Sequence, residues 1–190
     1  MAGKGAPIFG NYGYALGVSN GNYFFDIGSS TGAVTFQTSY GSDIATGAWD
    51  HIAGTYNATT LVMSIYLNGS FVASTTGPTK IDSSNAGQFC ISSAAFTCPL
   101  NLFDGLIDDV RVYDTDLSES EIASTYNCAL VGDESNLVGY WKLDNDLLDS
   151  TSNNNDLTNN GSFVFSTDVN FTDDCGGAAV GSDSYILLFE

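Results

Sequence analysis

The chain has 190 residues, enough for one well-buried domain and short of two full β-sandwiches. Its 18 Asp and 4 Glu face three Lys and one Arg, a formal net charge of −18, so its surface repels nucleic acid and anionic membranes at neutral pH. No run of 18 apolar residues occurs, which excludes a membrane-spanning helix.

The elements follow in chain order. The opening Met1-Ala-Gly-Lys-Gly-Ala-Pro-Ile-Phe9 has no apolar core of a signal peptide, so a secreted chain that starts here has lost its leader or is a piece of a longer polypeptide. Tyr12, Tyr14, Tyr23, Phe24 and Phe25 are dense aromatics in strand-like sequence, expected to fill a core, with any outward members open to sugar stacking or a subunit contact. Trp49 to Tyr56 predicts a strand, Leu61 to Leu67 a second, and Ser70 to Ser74 a third, with Asn68-Gly69 as a tight hairpin turn between the last two. Alternation puts Leu61, Met63, Ile65 and Leu67 on one face and Val62, Ser64 and Tyr66 on the other.

Further along, alternation in Leu106-Ile-Asp-Asp-Val-Arg-Val112 places Asp108 on the side of Leu106, Val110 and Val112. An inward acid needs backbone amides, Arg111 or a cation as its partner. Ser118-Glu-Ser-Glu121 is a capping box that opens a helix of about two turns through Tyr126. A short Gly/Asp/Ser linker precedes the strand Leu137 to Asp144, and Asp149 to Asp156 is a loop of Asp, Asn, Ser and Thr whose oxygens suit calcium. The tail, Ser184 to Glu190, is a strand pattern that stops without a polar cap, an association hazard unless something covers it. With 21 Gly, 10 Tyr, 12 Phe and one helical stretch, the class is all-β.

The pattern W-x-H-x-A-x-T-Y from Trp49, Y-x-N-G from Tyr66, and F-x-G-x-I-D-D-V-R-V-Y-x-x-x-L-S-x-x-E-I from Phe103 to Ile122 resembles the laminin-G-like (concanavalin A-like) family. That resemblance implies a two-sheet antiparallel jelly-roll sandwich with one short helix. In that family the domain opens with an L-V-G-Y-W-x-L-D segment, which here is Leu137 to Asp144 and comes after the closing motif. Residues Gly176 to Leu188 resemble the strand that follows the opening, and Ala6 to Ile27 the strands after that, so the order is circularly shifted. Residues 1–127 are thus the body of the sandwich, 128–136 the linker, and 137–190 the displaced opening strands, which close this sandwich or a neighbouring subunit's. Many members of the family carry calcium; the resemblance, with the acidic loop, selects Asp108, Asp149, Asn153 and Asn155 as ligands of a structural ion.

Catalysis finds little support. The glutamates Glu119, Glu121, Glu134 and Glu190 form no Glu-x-Asp-x-x-Glu run, and adjacent Asp108 and Asp109 point to opposite faces of a strand, so no carboxylate pair flanks a glycosidic bond. His51 is the single histidine and no Gly-x-Ser-x-Gly elbow accompanies it, so it reads as a packing or hydrogen-bonding residue. Four cysteines without Cys-x-x-Cys or Cys/His pairing suggest an oxidising compartment. Of the three connectivities, Cys90 with Cys98 and Cys128 with Cys175 is favoured, free buried thiols being the alternative. Asn57, Asn68, Asn160 and Asn170 are sequons for N-glycosylation. The reading is a secreted, non-catalytic structural or adhesive module. Its assembly strand is Tyr185, Ile186, Leu187, Leu188 and Phe189, adding head-to-tail to a second copy as in a filament. The competing reading is a carbohydrate- or glycoprotein-binding module cut from a multi-repeat surface protein.

Overall fold

The computed structural model describes residues 2–5, 12–19, 21–28, 36–40, 49–79, 81, 89–91, 103–161 and 163–166. The assembly strand Tyr185–Phe189, the segment 176–188, Cys98, Cys175 and Asn170 lie outside them. Ten strands and one helix appear among the described residues: β1 Ala2–Gly5, β2 Tyr12–Ser19, β3 Asn22–Ile27, β4 Phe36–Tyr40, β5 Ile52–Asn57, β6 Val62–Leu67, β7 Ser70–Thr76, β8 Phe89–Ile91, β9 Val110–Tyr113, α1 Glu119–Thr125 and β10 Leu137–Trp141. The fold is all-β with antiparallel sheets and one short helix, as the motifs predict.

Two compact units partition the chain, one made of Met1–Ile44, Tyr56–Ile65 and Val72–Gly105, the other of Ala45–Thr55, Tyr66–Phe71 and Leu106–Glu190. In the first, the sheet β4-β3-β2-β1-β8 is antiparallel, and Tyr23, Phe24 and Phe25 on β3 are all buried. Consecutive aromatics point to both faces of a strand, so both faces of β3 are covered at these three residues. Burial also pushes the Tyr14 phenol up to about 12.

The sheet β5-β6-β7 is a meander of two hairpins. Its second turn has Asn68 at φ 50° and Gly69 at φ 77°, the left-handed pair that an Asn-Gly dipeptide accommodates. A Cβ on Gly69 would lie 2.6 Å from the Tyr126 ring, so the position needs glycine for space as well as for conformation. On β6 Met63, Ser64, Ile65 and Tyr66 are all buried. Met63 and Ile65 alternate with Ser64 and Tyr66, so both faces of this strand are covered.

The second unit has its own core of Ala53, Tyr66, Tyr113, Ile122, Leu130, Leu137 and Tyr140, with Leu117 against it. Helix α1 enters this core through Ile122 alone. Its capping box is complete, with Ser118 Oγ accepting from Glu121 N–H and Glu121 Oε2 accepting from Ser118 N–H at 2.7 Å. β10 runs antiparallel to β9, with Leu137 opposite Tyr113 and Gly139 opposite Val112, which leaves Val138 as a bulge residue. The linker 128–136 is held at three points while Val131, Asp133, Ser135 and Asn136 are exposed. Leu130 is 1% exposed, Glu134 caps the N–H groups of Val131 and Gly132, and Gly132, at φ 108°, lies so close to Ser150 that a Cβ would meet its carbonyl oxygen at 2.3 Å.

Candidate functional site

The chemistry of the second unit gathers on the two sides of Tyr140. On its hydroxyl side is a buried charged knot. The sequence places Asp108 inward and Asp109 outward, but Asp109 adopts φ 55° and β9 begins only at Val110. Alternation therefore does not extend back through the pair, and both carboxylates are buried while Leu106 is exposed. Asp tolerates the left-handed region better than most residues, which is why this kink is available here. Arg111 takes Asp109, not Asp108, as its partner, with Nη2 3.3 Å from Oδ1.

Arg111 is 1% exposed and ties several segments together. Its Nη1 donates to the Thr125 carbonyl at the end of α1 at 2.8 Å, and its Nη2 donates to the Cys128 carbonyl. A guanidinium beside the last carbonyls of a helix is favourably placed against their partial negative charge. The cation also lies 5.3 Å from the centroid of the Tyr140 ring. The Tyr140 hydroxyl accepts from Leu130 N–H at 3.1 Å and is hydrogen-bonded to Asp109. Burial pushes the Asp109 carboxyl up despite the opposing pull of Arg111, and burial likewise raises the Tyr140 phenol. Arg111 Nε is the one guanidinium nitrogen left without a partner.

On the backbone side of Tyr140 is the Asp149 loop. Leu157 N–H donates to the Leu147 carbonyl at 2.9 Å and closes a compact surface loop. Asp149 Oδ1 accepts from Tyr140 N–H at 3.0 Å and from Thr151 N–H at 2.9 Å. Its Oδ2 accepts from Thr151 Oγ1 at 3.0 Å, from Asn155 N–H at 2.9 Å and from Asn155 Nδ2 at 3.1 Å. Burial works upward on this carboxyl, but the hydrogen bonds from Tyr140, Thr151 and Asn155 win and hold it below its ordinary value.

That arrangement tests the calcium expectation. Hydrogens converge on both Asp149 oxygens, where a cation would need open lone pairs. Asn153 and Asn155 turn their amide nitrogens to the Val138 carbonyl, each at 3.0 Å, and Asp108 Oδ1 accepts from Asp109 N–H at 3.1 Å. Among the described residues no cluster of three or more His, Cys, Asp and Glu is placed to hold a metal. The four residues do not fit one calcium site in this arrangement.

His51 is buried, with its ring 5.7 Å from that of Tyr126. Its backbone N–H donates to Asn68 Oδ1 at 2.8 Å and its carbonyl accepts from Asn68 N–H at 2.9 Å, so it anchors the Asn-Gly turn. Burial, assisted by the charge of Arg111, lowers the imidazole to about 3 and keeps it neutral. Its Nδ1 has no hydrogen-bond partner.

The sequons differ in their surroundings. Asn57 Oδ1 accepts from Thr59 and Thr60 N–H at 2.9 and 2.7 Å, closing the β5–β6 turn. Asn68 Nδ2 donates to Asp50 at 3.0 Å, and Asn160 is exposed. Cys90 is buried and Cys128 half-buried. Sequence reasoning missed Asp109, Arg111 and Tyr140 as a set; the one signal for it is the lone arginine of a strongly acidic chain, placed two residues after an acid.

Buried aromatic cores, antiparallel sheets and a capped helix after the last motif strand define a β-sandwich class of domain. A family model described as the concanavalin A-like lectin/glucanases superfamily matches residues 2–123, and the chain belongs to that superfamily as a laminin-G-like member. The match stops within α1, so β10 and the Asp149 loop lie beyond it. No curated protein matches the chain. A solved structure, residues 221–444 of an S-layer domain-containing protein from Clostridium thermocellum ATCC 27405, is similar at 22% identity over 65% of this chain, with a TM-score of 0.37. The alignment spans 63% of that solved chain.

Proposed function

We propose that this chain is a secreted, non-catalytic structural or adhesive module whose copies join by strand addition, as subunits of an extracellular filament. The observation that carries this reading is β7. Among the described residues it has one strand neighbour, β6, and Ser70, Phe71, Ser74, Thr75 and Thr76 are exposed, on both faces of the strand. Such an edge offers its N–H and C=O groups to an incoming strand. Phe71 N–H donates to Glu119 Oε1 at 2.9 Å rather than to β6, so by alternation the N–H groups of Ala73 and Thr75 also face outward.

In this reading the donor is Tyr185–Phe189 of the next copy, and a head-to-tail contact that does not close into a ring propagates. The pairing of β10 with β9 supports residues 137–157 completing their own chain. Disulfides Cys90–Cys98 and Cys128–Cys175, and glycans on the sequons, complete the extracellular assignment.

Ala73→Pro removes one outward N–H without touching the β6 ladder. Negative-stain microscopy with light scattering is expected to show fibres for the natural chain and separate 20.0 kDa particles for Ala73→Pro. A natural chain that stays monomeric and binds one glycan class on an array would replace this reading with the carbohydrate-binding one.

A further inference from the structure

The outer edge of β10 is closed by the loop that follows it, through side chains and one backbone N–H. Tyr140 lies opposite Arg111 in the β9–β10 pair, yet its N–H goes to Asp149 Oδ1 at 3.0 Å and its carbonyl accepts from Ser150 N–H at 2.7 Å. Both groups therefore point away from β9. The carbonyl of the bulge residue Val138 takes two donors, the amide nitrogens of Asn153 and Asn155. A neighbouring strand would use these same three backbone groups. The loop also fastens itself to the strand, since Trp141 Nε1 donates to the Asn155 carbonyl at 2.9 Å and Asp149 N–H donates to Asp156 Oδ1 at 2.9 Å.

We infer that the Asp149–Asp156 loop is a strand surrogate, a built-in block that keeps β10 from pairing with a strand of a second copy of this chain. Its composition fits the role. Asp and Asn side chains present acceptors and donors at backbone-like reach, and unlike a real strand they leave no new edge behind them. The block complements an open β7 but holds whether or not β7 accepts a strand. It also accounts for the acid and amide pattern of the loop without a cation.

The test uses the full chain carrying Ala73→Pro, so that addition at β7 is removed from the readout. Into it go Asn153→Ala with Asn155→Ala, which free the Val138 carbonyl, or Asp149→Ala, which frees Tyr140 N–H. The control is Asn154→Gly, which keeps the left-handed conformation at φ 54° and removes an amide that donates to the Ser152 carbonyl at 2.7 Å and not to β10. Opening the edge is expected to lower the concentration at which oligomers appear in light scattering by about tenfold, with the control unchanged. Hydrogen exchange adds a reading on the folded monomer: protection of the Tyr140 amide falls by about tenfold or more in Asp149→Ala only. A double asparagine variant that stays folded and monomeric at all concentrations overturns the inference, as does a control that associates equally.

Discussion

Asp109 and Asp149 both have little surface open to water and both contact Tyr140, one through its hydroxyl and the other through its backbone N–H, yet Asp109 lies deeper and their carboxyls shift in opposite directions. Asp109 sits in a low-dielectric interior whose burial outweighs even an adjacent guanidinium. Asp149 sits at a strand edge where N–H and O–H donors fill both of its oxygens. The fate of a buried acid is set by its depth against the number and aim of its donors: at Asp109 burial outweighs Arg111 and Tyr140, and at the shallower Asp149 the donors win.

The largest break in this comparison comes from Arg111→Met, which leaves Asp109 buried without its cation and the Thr125 and Cys128 carbonyls without their donor. A loss of about 3–5 kcal/mol is expected in denaturant unfolding. Next is acid. His51 is neutral in the fold with its pKa lowered to about 3 from 6.5, so its contribution is fully present above pH 6.5 and is lost as pH falls toward 3. The slope is about 1.4 kcal/mol per pH unit at most, and His51→Gln should flatten it in pH-dependent unfolding.

The two acids then act with opposite signs. Asp149, lowered from 3.8, contributes stability above that value that is lost as pH falls through its folded pKa. Asp109, raised from 3.8, contributes stability below that value that is lost as pH rises through its folded pKa. Comparing Asp149→Asn with Asp109→Asn across pH 2 to 6 should give stability differences of opposite slope.

Tyr140→Phe separates the two sides further. It strips Asp109 and Leu130 N–H of a partner and leaves Asp149 untouched, and a loss of about 1–3 kcal/mol is expected by thermal unfolding. Smallest of all is the response to calcium. With Asp149 already saturated, adding calcium or a chelator should move the melting temperature by less than about 1 °C, whereas a bound structural ion would move it several degrees.

Much of the frame was legible before the structure. The Asn68-Gly69 turn, the Ser118/Glu121 box and the strands after Trp49 rest on local rules, in which a dipeptide or a four-residue spacing has one physical reading. The alternation arguments fared worse. At β6 they sorted residues between two faces and could not say that both are covered, and at Asp108-Asp109 one left-handed residue ended the alternation. The loop from Asp149 was legible as a cluster of oxygens but not as a cap, because nothing local says whether its donors turn inward or a cation supplies the charge.

The chain order by itself determined the all-β class, the family motifs, the acidic surface and the positions of turns and helix cap, since each follows from residues close together in sequence. Only the tertiary structure decided that Arg111 joins Asp109 to the carbonyls of Thr125 and Cys128, and that Asp149 serves the edge of β10. Both depend on groups well separated in sequence meeting in a low-dielectric interior or along a strand edge, where the balance of desolvation and donors has no local signature.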